Sequence, residues 1–183
     1  MAARPHDPLR LDIEAFAAEG ARLEGRWPLA DFRRIGESVA TDAPLGEHDG
    51  VRWEVGGERV ALRGGAHETW LQLSADCDVW LQCQRCLGPV RVPLSVRRRI
   101  RFVDGEDAAA ELDASSEDDV LASSRALDLR GLIEDELLLA MPLVPLHEVC
   151  PEPLSILVEA DSAAEKPNPF AVLAALKRAG PVN

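Results

Sequence analysis

Tyrosine is absent from this chain of 183 residues, and aromatic side chains of all kinds make up only 4% of it. A surface that stacks successive nucleotides on ring after ring needs more than that. Cations are in the minority too, with 20 Lys+Arg against 32 Asp+Glu and a formal charge of −12. That balance excludes a protein that coats nucleic acid through charge alone, while leaving room for a local basic patch. Long apolar runs are missing: the most apolar stretch, Leu137 to Leu146, is broken by Pro142 and Pro145 and is too short to cross a bilayer. The first eight residues hold no apolar core of signal-peptide length, so the expectation is a soluble, cytoplasmic protein with no membrane partner.

Signatures of catalysis are lacking as well. There is no GxGxxG, no GxxxxGK followed by Ser or Thr, no HExxH and no nucleophile elbow. His6, His48, His67 and His147 stand in unrelated contexts, and the carboxylates cluster in one acidic run with no histidine or other base beside them. The expectation is a protein that is not an enzyme and has no small-molecule substrate. Only four cysteines occur, which for a cytosolic chain of this length is no disulfide framework. Metal binding, redox chemistry or plain burial remain for them.

What is present reads as a globular chain, 46% hydrophobic and 28% charged, of a size that fits a single domain over 1–183. Ile13 to Glu19 suits a short helix, and Ala21 to Trp27 alternates weakly like a strand. Asp31 precedes Phe32, Ile35 and Val39, spaced for a short amphipathic helix, and 41–50 reads as a loop. Val51 to Val55 alternates, Gly56-Gly57 reads as a two-residue hairpin turn, and Arg59 to Leu62 as the start of the return strand.

The clearest period begins at His67. Leu71, Leu73, Ala75, Cys77, Val79 and Leu81 recur at every second position, which makes a long strand with one buried face. After Cys86-Leu87-Gly88-Pro89 the alternation resumes, with Val90, Val92, Leu94, Val96, Ile100 and Phe102 on one face. Together these predict a β-hairpin with Cys83 to Cys86 at its tip. The segment 104–125 is then rich in Asp, Glu, Ala and Ser, and is expected to be an acidic mobile loop. Asp128 is an N-cap for a helix carrying Leu129, Leu132, Ile133, Leu137 and Ala140, ended by Pro142. A linker-like stretch at 151–167 leads to a short C-terminal helix, with Asn168 as cap, Pro169 at the first position and Gly180 beyond the end.

Cys83-Gln84-Arg85-Cys86 is the sharpest local feature. Two thiolates two residues apart on a tight turn can chelate one tetrahedral zinc ion, and His147-Glu148-Val149-Cys150 offers a second pair of donors. The set Cys83, Cys86, His147 and Cys150 would form a closed, structural Cys3His site tying the hairpin tip to the segment after the main helix. The alternatives are a pair of turn thiols with an unrelated third cysteine, or dithiol redox chemistry assisted by Arg85. Redox CxxC motifs usually open a helix in a βαβ unit, whereas this one tips a hairpin. Cys77, on the apolar face of its strand, reads as a small core residue.

Arg91, Arg97, Arg99 and Arg101 share the face opposite the apolar one, about 7 Å apart for neighbours two residues on. Arg98 is the exception, pointing inward or at an edge. Guanidinium forks bind phosphate bidentately, so this row, with Arg85 at the tip, is a candidate contact for RNA or for a partner. The plainer alternative is a solvated strand face ion-paired with the acidic segment that follows.

The tip Cys83-Gln84-Arg85-Cys86-Leu87 resembles that of the YceD-like proteins, the large ribosomal RNA subunit accumulation family. The helix from Asp128 to Leu137, with its Glu134-Asp135-Glu136, is similar to the family's helix of the pattern D-L-hydrophobic-E-D-E. Ala140 to His147 follows it as there, and Lys166 to Leu173 resembles the tail of proteobacterial members. The resemblance implies a bacterial cytoplasmic protein needed for synthesis, processing or stability of 23S rRNA, with no established enzymatic activity and no catalytic residues to carry over. Some relatives carry a second Cys pair after the Pro-rich stretch, which favours zinc; this chain has His147 and Cys150 there.

The expected fold is therefore α+β: an antiparallel, twisted or barrel-like β-sheet with a long Cys-tipped hairpin and a few packed helices. The expected function is a non-enzymatic ribosome biogenesis factor, its partner precursor 23S rRNA or a large-subunit assembly intermediate. The competing readings are a protein–protein adaptor whose acidic loop engages basic ribosomal proteins without RNA contact, and a CxxC thiol oxidoreductase.

Overall fold

The computed structural model describes residues 6–44 and 50–151. The chain divides into a unit ending at Glu152 and a second from Pro153 to Asn183, and the described residues belong to the first. The linker and terminal helix expected after 151, and His48, lie outside them.

Among the described residues, five strands form one open, mixed sheet in the order β1-β2-β3-β4-β5. They are β1 (Arg22–Pro28), β2 (Gly50–Ala61), β3 (His67–Gln82), β4 (Pro89–Val103) and β5 (Asp119–Ala122), and four α-helices accompany them: α1 (Ile13–Ala18), α2 (Arg33–Ser38), α3 (Glu106–Asp113) and α4 (Leu129–Leu139). The first four strands pair antiparallel, and β5 joins β4 in parallel. The architecture is α+β, and the sheet is not closed.

The two-residue period of β3 and β4 does what alternation requires. Leu71, Leu73, Ala75, Cys77, Val79 and Leu81 are all buried, and from β4 so are Val90, Leu94, Val96, Ile100 and Phe102. They pack under Phe16 of α1, Ile35 of α2 and Leu129, Ile133 and Leu137 of α4, all fully buried. Asp128 caps α4, its carboxylate accepting from the backbone N–H of Arg130 and Gly131. Helix α2 lacks a side-chain cap of its own. Glu134 supplies one from α4, its Oε1 accepting from the N–H of Arg34 at 2.7 Å and of Ile35 at 3.3 Å, while Oε2 meets the Arg34 guanidinium at 3.0 Å. A carboxylate serving a helix start and a cation from 12% exposure holds two elements together. Glu134→Ala is expected to cost about 2 kcal/mol, because the buried N–H of Ile35 and the part-buried N–H of Arg34 lose their acceptor. Urea denaturation measures it, and a loss within experimental error would remove this cross-helix cap from the account.

Two expectations are corrected. Gly56-Gly57 is not a turn: β2 runs straight through it, with Gly56 paired to Gln72 and Gly57 to Leu71. The reversal comes later, where Leu62 donates to the Ala66 carbonyl and Gly64 and Gly65 adopt φ of +87° and +85°. Gly57 is glycine because α1 crosses there, and a Cβ at that position would lie 2.8 Å from the Ala17 backbone. The acidic segment 104–125 is not a loop throughout, since it contains α3 and β5. Ala109 and Val120 supply buried anchors, and Asp113 accepts from the Val120 N–H at 3.1 Å, so the acids solvate the outside of structured elements.

Candidate metal centre and the open face of the sheet

The hairpin expected between Cys83 and Cys86 is there, and it meets the segment after α4. Cys83 N–H donates to the Gly88 carbonyl and Leu87 N–H to the Cys83 carbonyl, closing a tight loop in which Leu87 takes φ of +62°. A left-handed leucine is strained, and it persists only where its surroundings hold it. The surroundings include 140–151, whose Pro145 carbonyl accepts from Gln84 N–H at 2.9 Å. Pro142 and Pro145 keep that stretch from continuing α4.

This clasp brings four donor atoms within 4.8 Å of one another: Sγ of Cys83, Cys86 and Cys150 and a ring nitrogen of His147. Cys83 and Cys150 sulfurs lie 4.0 Å apart, and Cys86 Sγ lies 3.4 Å from His147 Nδ1. Tetrahedral zinc, with Zn–S near 2.3 Å and Zn–N near 2.0 Å, places its ligand atoms ~3.5–3.8 Å apart, so these separations need only small adjustment. His147 Nε2 lies 3.1 Å from the Pro89 carbonyl, which can only accept. Nε2 therefore carries a proton, and Nδ1 is the ring atom that faces the sulfurs: protonated it donates to a thiolate, and without its proton it offers a metal its lone pair.

Electrostatics of the thiols point the same way. Burial alone would push the Cys83 thiol up, but backbone N–H groups of Cys86, His147 and Arg85, together with the His147 side chain, bring it down to about 5. Cys150 is pushed up, by burial and then by the neighbouring sulfurs of Cys86 and Cys83. One thiolate is thus favoured and a further one opposed, a conflict that a divalent cation relieves. Cys77 stands apart: burial, with Asp78 and Asp76 nearby, pushes it up to about 12, as befits an inert core thiol.

Helices α1, α2 and α4 cover one face of the sheet, and the arginine row lies on the other. By register, Arg97 shares a cross-strand row with Glu54 and Ser74, Arg99 with Gly56 and Gln72, and Arg101 with Glu58 and Trp70. The row is not uniform. Arg99 lies 4.0 Å over the Trp70 ring and 3.5 Å from Glu58, and Arg101 pairs with Glu68 at 2.9 Å, which also accepts from Trp70 Nε1. With Trp70 only 4% exposed, these two arginines roof a buried ring. Arg91 pairs with Asp78 at 2.7 Å. Arg97 is exposed and has no ion pair among the described residues, and Arg85 projects from the exposed tip of the hairpin. Arg98 points to the helix side, where it meets Glu136 at 2.7 Å.

The acids that neutralise the row therefore belong to β2 and β3, not to the segment after it. Among the described residues, the one acid of 104–119 within 4.0 Å of an arginine is Asp119, on Arg98. Arg22 of β1, which borders the same face, was missed from sequence because β2 was misread at Gly56-Gly57; the Trp70 clamp runs across β3 and β4 and was missed because alternation assigns a face but not the contacts on it.

Comparison with known proteins adds a separate line of argument. The family model described as large ribosomal RNA subunit accumulation protein YceD matches residues 71–177, a stretch that holds all four metal donors and the five candidate arginines. A curated protein of that description from Haemophilus influenzae is 41% identical over 106 residues, 55% of this chain and 61% of the relative. The chain thus matches less than two thirds of that relative's length. No solved structure matches.

Proposed function

The chain belongs to the YceD family of large ribosomal RNA subunit accumulation proteins, and from that premise we propose that it is a non-enzymatic ribosome biogenesis factor. It acts in the cytoplasm, supports synthesis, processing or stability of 23S rRNA, and touches precursor rRNA or an assembly intermediate directly. The observation that carries the direct contact is the β3–β4 hairpin, which presents Arg85, Arg91, Arg97, Arg99 and Arg101 at its tip and along the face opposite α1, α2 and α4. Arg91 is paired with Asp78, and Arg99 and Arg101 are partly committed to Trp70, so phosphate contact falls most heavily on Arg85 and Arg97, with Arg91 beside them.

Zinc belongs to the same reading. Cys83, Cys86, His147 and Cys150 would hold it, and four protein donors leave no open position for chemistry. Its role is to fix the tip, including Arg85, in one geometry. No helix among the described residues is long and apolar enough to cross a membrane, in keeping with this placement.

The triple variant Arg85→Ala, Arg91→Ala, Arg97→Ala is expected to keep its thermal midpoint within a few degrees. It should lose about tenfold or more in association with large-subunit precursors, with a shallower salt dependence, read by gradient co-sedimentation over a salt series. Unchanged sedimentation would remove the arginines from the mechanism. The adaptor reading keeps one supporting observation, the solvent-facing acids of α3. Crosslinking decides between the two, since an adaptor yields protein adducts and no rRNA adducts.

A further inference from the structure

Gly56 has no structural reason to be glycine. It sits inside a strand, where glycine is less favourable than alanine, and it takes no left-handed φ. Its neighbour Gly57 is required by α1, but a Cβ on Gly56 would meet only Arg22 Cγ, at an ordinary 3.8 Å. A strand glycine with space above it marks a place where something else approaches the backbone closely.

The space is a groove of about 530 Å³ on the open face, bordered by Arg22, Glu54, Gln72, Ser74, Arg97 and Arg99. Cross-strand register explains its shape. Gly56 lies between Arg22 on β1 and Gln72 on β3, with Arg99 beyond, so the missing side chain leaves a notch in the middle of the row. Three guanidiniums rim it, and two of them meet carboxylates: Arg22 approaches Glu54 at 3.7 Å and Arg99 approaches Glu58 at 3.5 Å, while Glu58 also accepts from Gln72 Nε2. The Arg97 guanidinium is uncommitted among the described residues, and Gln72 and Ser74 add polar groups on the floor.

We propose that this notch is a phosphate-binding site that seats one backbone phosphodiester of single-stranded RNA against Gly56, held by Arg97, Arg22 and Arg99. The assignment rests on the RNA-contact reading above and narrows it from a row of arginines to a particular point. It also draws in β1 and β2, which lie before the stretch matched by the family model. An exposed guanidinium without a carboxylate partner exchanges water for phosphate at little cost, and a second and third at the rim fix the approach.

The test uses the full chain and a fluorescein-labelled single-stranded RNA of ten nucleotides, followed by anisotropy from 25 to 200 mM salt, conditions chosen as ordinary for such titrations. Gly56→Leu fills the notch without removing a charge, and is expected to weaken binding about tenfold with the thermal midpoint unchanged or raised. Arg97→Ala, a surface change that leaves folding alone, is expected to weaken binding and to lower the salt slope by about one. If the wild type binds RNA and both variants match it, the notch is wrong and the broader RNA reading stands. If the wild type binds no RNA and crosslinks only to protein, both fall together.

Discussion

Anaerobically purified protein is expected to carry about one zinc per chain, and stripping it should dismantle the hairpin tip while leaving the sheet folded. The four donors come from two segments about sixty residues apart that share little else. Gln84–Pro145, His147–Pro89 and the sulfur contacts are their visible ties, and the exposed Leu143, Val144 and Val149 bury little to hold 140–151 in place. Zinc held there would therefore be the main cross-link, whereas the core of β3, β4 and α4 would not depend on it. A metal bound at a thousandfold over its dissociation constant adds ~4 kcal/mol, which for a domain of this size is a fall in midpoint of ~10 °C on removal. Cys83→Ser and Cys86→Ser should each abolish stoichiometric zinc, and His147→Ala should weaken it about a hundredfold or more, all by metal analysis. Acid should act in the same direction. The Cys83 thiol lies near 5 in the folded chain against about 9 when unfolded, so its contribution is complete above pH 9 and is lost as pH falls toward 5. Protons then displace the metal. Metal-free protein with four free thiols and protected amides from Gln84 to Gly88 would defeat this account.

The tip shows how much of a site alternation alone can place. Six apolar residues at every second position from Leu71 to Leu81, mirrored by Val90 to Phe102, determine both the faces and the pairing, because slipping one residue would turn the whole set outward. Cys83 and Cys86 must then be at the turn. That His147 and Cys150 come to them was readable only as matching chemistry, since the path of 140–151 depends on Pro142, Pro145 and backbone ties that no periodicity encodes. The acidic segment was misread for a related reason. Composition registers eight acids there, without which the formal charge falls from −12 to −4, but not that Ala109 and Val120 anchor a helix and a strand beneath them. The arginine row was legible as a row and illegible as chemistry. Spacing gives Arg91, Arg97, Arg99 and Arg101 equal standing, and only the cross-strand neighbours divide two that roof Trp70 and one paired with Asp78 from Arg97, which has no ion pair among the described residues.

The adjacent glycines of β2 are expected to answer oppositely to the same substitution. Gly57→Ala should destabilise the fold by about 3 kcal/mol, at the upper end of what overpacking costs. Its Cβ would stand 2.8 Å from Cα and N of Ala17 and from Phe16 Cδ1, and two of those three atoms are backbone of a helix that cannot give way alone. Phe16 is fully buried beneath α1, so moving the helix would disturb its seat on β2 and β3 as well. Gly56→Ala meets nothing closer than 3.8 Å and faces solvent, and it removes the freedom that glycine adds to the unfolded chain. It should stabilise by about 0.5 kcal/mol. Paired urea titrations of the two variants measure the difference directly. A hairpin turn at this dipeptide, the reading that sequence suggests, would make both substitutions costly, because turns of that kind need positive φ at their central residues. A harmless Gly57→Ala would instead mean that α1 does not rest on β2. In that case the strand register that builds the open face, and the notch at Gly56 with it, would have to be redrawn.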